Sequence, residues 1–187
     1  MINKIMLNSR GGAGKDIFAD YLVDNYGFKK IAFADGIYEI AYKYFGMTIK
    51  DRDLLQKIGE KMREIDPLVW VKRAFNEAEH YDKVVISDCR RANEYAWGIE
   101  KGYLPIHIEA DLDKRIRRLY KRDGVQPDLD LLENECETGA DGLGFIDIDN
   151  NGTVRELCEQ IDNIMNKNWD EIIKQIQMEY QLRQMYW

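Results

Sequence analysis

The sequence is poor in the residues that build disulfide scaffolds, zinc centres and disordered tails. Its 187 residues include only three cysteines, three prolines and two histidines. The cysteines, Cys89, Cys136 and Cys158, are odd in number and show no C-x-x-C spacing, which favours reduced thiols in a cytoplasmic protein. His80 and His107 lie far apart, so a zinc site has little support. A small disulfide-stapled or collagen-like chain is excluded.

Positive charge and long apolar runs are also scarce. The 27 Lys and Arg residues stand against 34 Asp and Glu residues, so the net charge is −7. An acidic chain is a poor general polyanion binder, and we expect no stable nucleic-acid binding unless positive charge is gathered locally. No apolar run approaches the roughly 20 residues that span a bilayer, and residues 1–7 are too short for a secretion signal. We therefore expect a cytoplasmic protein without a membrane partner.

Apolar residues make up 45% of the chain, enough for a sizeable core. Short apolar runs alternate with segments of helical periodicity, which predicts an α/β domain over residues 1–187 with a parallel sheet flanked by helices. The predicted strands are 4–8, 30–34, 83–87, 104–109 and 145–148. The predicted helices are 16–26, 36–46, 51–64, 67–79, 94–101, 112–121, a short one at 129–136, 153–166 and 169–185.

A glycine-rich segment at residues 9–15, here called the phosphate loop, joins the first strand to the first helix. Glycines in this position let backbone N–H groups surround phosphate oxygens, and a lysine at the helix start reaches the outer phosphates. The match to G-x-x-x-x-G-K-[ST] is imperfect, because Ser9 replaces the first glycine and Asp16 replaces the hydroxyl residue. An ordinary glycine-rich turn is the alternative. The predicted phosphate contacts are Arg10, Gly11, Gly12, Ala13, Gly14, Lys15 and Asp16.

An acidic residue, Asp88, directly follows the predicted buried strand 83–87. In a parallel sheet this position lies beside the phosphate loop, where the carboxylate could hold Mg²⁺ directly or through water. The alternative is an Asp that caps the following turn. Cys89 stands where a water-activating ATPase would carry Glu, and Arg90 and Arg91 follow directly. This combination favours a kinase over a hydrolytic motor or switch.

Positive charge is concentrated in one segment. Six of the nine residues from Lys114 to Arg122 are basic. On a helix, Arg115, Arg118 and Arg122 share one face, and arginine forks suit phosphate oxygens. The alternative is a solvated face paired with neighbouring acidic residues.

Taken in order, several motifs over residues 1–165 resemble those of phage-type deoxynucleoside monophosphate kinases. The motifs are Gly14-Lys15-Asp16, Ala32-Phe33-Ala34-Asp35, Leu55-Gln56-Lys57-Ile58-Gly59, Asp66-Pro67-Leu68-Val69-Trp70-Val71, Ile86-Ser87-Asp88-Cys89-Arg90-Arg91-Ala92-Asn93-Glu94 and Asp149-Asn150-Asn151-Gly152-Thr153. The resemblance implies ATP and Mg²⁺ as cofactors and a P-loop nucleotide kinase fold. It also implies two insertions, an acceptor-binding region at about 35–80 and a lid at about 111–142. The last helix lies outside it.

The resemblance also assigns roles to residues. Catalytic groups would be Lys15, Asp88, Arg90, Arg118 and Arg122, and Mg²⁺ would lie at Asp16 and Asp88. ATP would contact residues 10–16, with Arg115 stacking on adenine and Asn151 and Gly152 bordering it. Acceptor contacts would be Asp35, Arg63, Trp70, Arg90, Arg91, Asn93 and Glu94. One departure is Ile17, where the family often carries a hydroxyl residue; we interpret it as a core residue of the first helix.

The sequence thus predicts ATP-dependent phosphoryl transfer to a (deoxy)nucleoside monophosphate, giving the diphosphate, in the host cytoplasm if the chain is phage-encoded. Three alternatives stay open: a kinase of another small phosphorylated acceptor, as in phosphomevalonate kinases, a nucleotide-binding regulatory protein, and a nucleic-acid binder using the basic segment. The terminal helix is expected to pack on its own domain, with a homodimer as the alternative. Its apolar face is Trp169, Ile172, Ile173, Ile176 and Tyr180.

Overall fold

The computed structural model describes residues 2–127 and 143–186. Its strands are β1 (Lys4–Ser9), β2 (Lys29–Ile31), β3 (Val84–Ile86), β4 (Leu104–Glu109) and β5 (Ile146–Asp149). Its helices are α1 (Lys15–Tyr26), α2 (Asp35–Phe45), α3 (Arg52–Ile65), α4 (Val69–Ala78), α5 (Ala92–Glu100), α6 (Leu112–Asp123), α7 (Val154–Met165) and α8 (Asp170–Tyr186). The predicted helix at 129–136 lies outside the described residues.

The five strands form one parallel sheet in the order β2-β3-β1-β4-β5. β1 lies between β3 and β4, so the strand order reverses at β1 and leaves a crevice beyond its carboxyl end. The predicted parallel α/β sheet is therefore confirmed, and the phosphate loop follows the strand at which the order reverses.

Apolar side chains cover both faces of the sheet, because successive residues of a strand point to opposite sides. Ile5 and Leu7 of β1 join a core with α1 and α7, whereas Met6 joins a core with α2 to α5 and α8. The strands of a parallel sheet buried in this way are near-continuous apolar runs. This explains why strand positions could be predicted from short apolar segments.

Two element boundaries differ from the predicted ones for local reasons. β2 ends at Ile31 instead of residue 34, because the Asp35 carboxylate accepts the Ala32 N–H at 2.7 Å and closes a turn. α4 begins at Val69 instead of residue 67, because the Asp66 carboxylate accepts the Leu68 N–H at 2.9 Å. Side-chain caps of this kind compete with regular backbone pairing.

The prediction that Ile17 is a core residue of the first helix was wrong. Its side chain is 42% exposed on α1, and the buried face of this helix consists of Phe18, Ala19 and Leu22. An apolar residue at the surface is common, since apolar atoms supply more than half of a folded protein's surface.

The terminal helix α8 packs on the same chain, as expected. Trp169, which precedes it, is 7% exposed, and Ile176 and Tyr180 lie against the core on the α5 side. Gln177 donates from Nε2 to the Ile99 carbonyl of α5 at 2.7 Å. Ile172 remains 40% exposed, so the predicted apolar face is only partly covered.

Candidate functional site

The phosphate loop is held in shape by two glycines with positive φ. Gly12 has a φ of 78° and Gly14 a φ of 107°, conformations that L side chains rarely adopt. A Cβ at Gly12 would lie 2.7 Å from the Arg115 carbonyl oxygen, so α6 packs directly against the loop. Lys15 opens α1, whose N-terminus faces the crevice at the end of β1. The loop therefore has the arrangement expected of an anion-binding turn.

Asn150, which follows the edge strand β5, supports the phosphate loop. This residue is 3% exposed, follows β5 directly, and donates from Nδ2 to the Ala13 carbonyl at 2.7 Å. The site prediction missed Asn150 and named its neighbours Asn151 and Gly152. The signal was present, since a polar residue directly after a buried strand lies at the carboxyl edge of the sheet.

Gly14 allows Asn150 to reach the loop. A Cβ at Gly14 would overlap the Asn150 amide nitrogen, and the φ of 107° is strained for any other residue. We expect Gly14→Ala to lower the free energy of unfolding by about 2 kcal/mol in urea titrations and to abolish nucleotide binding. Gly27→Ala is the matched control, because Gly27 also has a positive φ, of 72°, but no atom of the described residues lies within 4 Å of its Cβ position. Equal stability of the two variants would contradict this prediction.

Lys15 and Asp16 lie within a small charge cluster at the start of α1. Lys15 Nζ and Lys30 Nζ each lie 3.3 Å from the same Asp16 carboxylate oxygen, and Lys30 also binds Asp20 at 2.9 Å. Burial raises the pKa of Asp16, but the two lysines outweigh it and hold the pKa below its usual value. Asp16 is therefore ionised at neutral pH. Lys30 was not among the predicted site residues, because nothing in the strand pattern places it beside the loop.

Asp88 is bound to the turn after β2 and feels the charge of Lys15. Its two carboxylate oxygens accept the Phe33 N–H at 2.7 Å and the Ala34 N–H at 3.0 Å. Burial raises the pKa of Asp88, against the two backbone donors and the charges of Lys15 and Arg90. Each carboxylate oxygen has a second lone pair, so these two bonds leave acceptor capacity for a metal or a water.

The pair Arg90 and Arg91, here called the arginine turn, is anchored by Glu94. The carboxylate oxygen Oε2 of Glu94 accepts the N–H groups of both arginines, at 2.8 and 3.0 Å. Glu94 is 4% exposed, and burial raises its pKa to about 7. Its oxygen is thus committed to the backbone of the turn, whereas both arginine residues are exposed.

Cys89 precedes the arginine turn and lies completely inside the protein. Its thiol is 0% exposed, and burial raises its pKa well above the usual value. The Cys89 carbonyl accepts Asn8 Nδ2 at 2.8 Å, and Asn8 Oδ1 lies 2.6 Å from His107 Nδ1. Since the Asn8 amide nitrogen is already donating to Cys89, we assign the proton of the second bond to His107 Nδ1.

The predicted acceptor residues are brought together only in part. Arg63 is half-buried near Arg91 and Glu94; burial and the charge of Arg91 lower its pKa. Asn93 donates to the Pro67 carbonyl at 3.3 Å, which ties α5 to the start of α4. These side chains lie on the β3 side of the phosphate loop.

Trp70 and Asp35 have structural partners. Trp70 is 4% exposed and donates from its indole nitrogen to the Gly59 carbonyl at 3.2 Å, so it packs α3 against α4; its acceptor contact stays a prediction. Asp35 closes the turn after β2 and lies 3.8 Å from Arg73. Arg73, which the site prediction missed, also donates to the Ala32 carbonyl at 3.3 Å.

The basic face of α6 is less uniform than the spacing predicted. Arg115 is 3% exposed where α6 packs against the phosphate loop, and its contact with adenine stays a prediction. Arg118 donates to the carbonyls of Asn150 and Gly152 at 2.9 and 3.4 Å, and Arg122 is exposed and pairs with Asp123. Asn151 Oδ1 accepts the N–H of Asp111 at 2.8 Å. The loop after β5 is therefore fastened to α6.

A polar cavity of about 300 Å³ adjoins the phosphate loop on the β4 side. Arg10, His107, Glu109 and Arg115 are among its lining residues. The predicted lid at 111–142 begins at this cavity, but its residues 128–142 lie outside the described ones.

The metal prediction can be tested against the donor set. Within residues 2–127 and 143–186, no group of three or more His, Cys, Asp or Glu side chains could hold a metal ion. Asp16 and Asp88 offer two carboxylates near the loop. Mg²⁺ commonly binds through one or two carboxylates plus substrate phosphates and water, so this pair fits Mg²⁺ bound together with a nucleotide.

No helix in the described part of the chain is long and apolar enough to cross a membrane.

Comparison with solved structures identifies the fold. A gluconokinase from Sinorhizobium meliloti 1021 superposes with a TM-score of 0.56 at 18% identity, over 85% of this chain and 89% of that chain. Shikimate kinase from Acinetobacter baumannii in complex with shikimate gives a TM-score of 0.58 at 18% identity, over 88% and 93%. A sugar kinase from Janibacter sp. HTCC2649 gives 0.52 at 17% identity, over 83% and 90%. The chain therefore has the P-loop kinase fold.

Sequence comparison is less informative. No family model matches the chain. The uncharacterized protein ORF77 of Ictalurid herpesvirus 1 (strain Auburn) is 29% identical over 137 residues, which are 71% of this chain and 56% of that protein. The chain thus spans little more than half the length of this relative.

Proposed function

We propose that this protein transfers the γ-phosphoryl group of ATP to a (deoxy)nucleoside monophosphate. The observation that carries the proposal is the position of Asp88, which follows β3, the strand paired with β1, and immediately precedes Cys89 and the arginine turn. A donor group at the phosphate loop and an acceptor group at the arginine turn would therefore both lie near this carboxylate. Arg63, beside Arg91, adds a third guanidinium to the acceptor side.

The reaction is an in-line displacement. An anionic oxygen of the acceptor phosphate attacks the γ-phosphorus, the bond from that phosphorus to the β-bridging oxygen breaks, and ADP leaves with the electron pair. The attacking oxygen is already ionised, so no strong general base is needed. Lys15 and the phosphate-loop N–H groups would hold the donor, and the arginines would neutralise charge on the transferring group.

The metal would be held by Asp16 and Asp88 together with nucleotide phosphates. Bound there, Mg²⁺ supplies positive charge to the β- and γ-phosphate oxygens. Asp16 is ionised and exposed, which suits it to this role, although it has to exchange its bond to Lys15 for the metal. Arg118 and Arg122 of α6 would face the donor phosphates from the lid side.

The second candidate is a kinase of a non-nucleotide acceptor. The observation in its favour is the likeness of the fold to a gluconokinase and a shikimate kinase. An acceptor panel with ATP and Mg²⁺ separates the two. We expect ADP release with at least one ribo- or deoxyribonucleoside monophosphate, and none above background with gluconate, shikimate or phosphomevalonate. Turnover of a non-nucleotide acceptor alone would reject the first proposal, and nucleotide binding without any turnover would favour a regulatory protein.

Replacement of Arg90 by alanine tests the acceptor side. We expect the KM for the monophosphate to rise about 10- to 100-fold while the KM for ATP changes less than about twofold, because only the acceptor phosphate loses a charge-assisted contact. Steady-state kinetics with each substrate varied in turn measure both values. Arg155→Ala on α7 is the control, since that side chain is 88% exposed and pairs with Glu159 on the same helix. A defect confined to the ATP side would contradict the assignment.

A further inference from the structure

Tyr95 is a buried meeting point of three segments. It is 2% exposed on α5, and its hydroxyl donates to the Gly144 carbonyl at 2.8 Å. Its ring centroid lies 4.9 Å from that of Phe145 and 5.9 Å from that of Tyr180 on α8. Burial raises the pKa of Tyr95 to about 12, so the hydroxyl remains a donor at any physiological pH. One side chain thus contacts α8 and the segment that leads into β5.

The next residue along the chain toward the N-terminus is Glu94. Glu94 accepts both backbone N–H groups of the arginine turn. The position of the first helical turn of α5 therefore determines the position of Arg90 and Arg91. Tyr95 fixes this first turn against the body of the protein. Displacement of its ring would move Glu94 as well, because the two residues are adjacent on one helix.

A second line of contacts connects the same segments. The Phe145 ring lies 6.3 Å from the His107 ring, and His107 binds Asn8, which binds the Cys89 carbonyl. The arginine turn is therefore held at its N-terminal end through Asn8 and at its C-terminal end through Glu94. Phe145 contributes to both lines of contact, whereas Tyr180 contributes only through Tyr95.

We propose that Tyr95 is a positioning residue that makes the geometry of the arginine turn depend on α8, through the Tyr180 ring. α8 contacts α5 through Tyr180 and through the Gln177 bond to Ile99, and the motif resemblance does not extend to it. An aromatic pair adds stabilisation beyond its buried area, enough to change a local equilibrium about tenfold. The inference rests on the proposed function only for its kinetic consequence.

Amide hydrogen exchange tests the coupling without any substrate. In Tyr180→Ala we expect the protection of the Arg90 and Arg91 amides to fall about tenfold, while α1 amides such as Leu22 keep theirs. Tyr180→Phe should restore protection, because the ring makes the contact with Tyr95 and the hydroxyl only accepts a bond from Gln184. Met178→Ala, at a position 57% exposed on the same helix, is the control and should leave all of these amides unchanged.

The kinetic arm uses the same variants. Tyr180→Ala should raise the KM for the acceptor about tenfold with little change in the KM for ATP. Unchanged protection of Arg90 and Arg91 in Tyr180→Ala, or an equal loss of protection across α1, would overturn the inference. If the wild-type protein turned over no acceptor but the exchange data were as expected, the proposed function would fail and the coupling would stand.

Discussion

Replacement of Lys15 by alanine is expected to lower the rate of phosphoryl transfer about a thousandfold while leaving the fold intact. Lys15 is the only lysine of the phosphate loop, and a charged group that stabilises the transferring phosphoryl typically contributes two to four orders of magnitude. Its side chain binds Asp16 at a partly exposed position, so its loss should change the free energy of unfolding by less than about 0.5 kcal/mol.

The measurement is single-turnover transfer from labelled ATP, with urea unfolding as the check on folding. Lys174→Ala on α8 is the matched control, because that lysine is 70% exposed and pairs with Glu171 on the same helix. Turnover in Lys15→Ala within tenfold of the wild type would refute the donor-site assignment. Lys15→Arg should remain well below the wild type as well, since a longer planar group does not reproduce a compact ammonium.

The second large effect concerns the pH dependence of stability at Glu94. Its folded-state pKa is raised from 4.5 to about 7, so between these values the folded protein binds more protons than the unfolded chain. The contribution of Glu94 to the free energy of unfolding is therefore greatest below pH 4.5 and is lost as the pH rises through about 7. The free energy of unfolding of Glu94→Gln, measured relative to that of the wild type, should therefore increase by about 2–3 kcal/mol between pH 5 and pH 8.

Urea titrations of both proteins at several pH values measure this difference. The contributions of other titrating groups cancel, because both proteins contain them. Glu100→Gln, on the exposed face of the same helix, should show no such change. A constant difference between wild type and Glu94→Gln from pH 5 to pH 8 would show that Glu94 titrates normally. The result would also bear on catalysis, since the ionised carboxylate is the better acceptor for the arginine turn.

Much of the fold was accessible from the sequence because each of its signals is local. The five short apolar runs and the helical periodicities between them are enough to predict a parallel sheet, and the described structure confirms it. The phosphate loop was recognisable for the same reason, since its glycines and Lys15 are contiguous. The arginine turn follows a buried strand and could be placed at the same edge.

The contacts that complete the site join residues far apart in the sequence, so local patterns do not show which residues pair with each other. Asn150 reaches Ala13 across 137 positions, and Lys30 of β2 reaches Asp16 at the start of α1. Trp70 also has a packing role that the sequence did not indicate, because an aromatic residue in a motif has the same appearance whether it faces a ligand or packs two helices together. Its burial against Gly59 depends on how α3 and α4 cross, which periodicity does not specify.

The complete burial of Cys89 has a consequence for chemical labelling. Its thiol adjoins the arginine turn, is shielded from solvent, and has a pKa well above the usual value. Alkylating reagents attack the exposed thiolate, so this sulfur reacts only during local opening. The time course of modification at Cys89 therefore reports the rate of local opening beside the arginine turn, with no engineered probe.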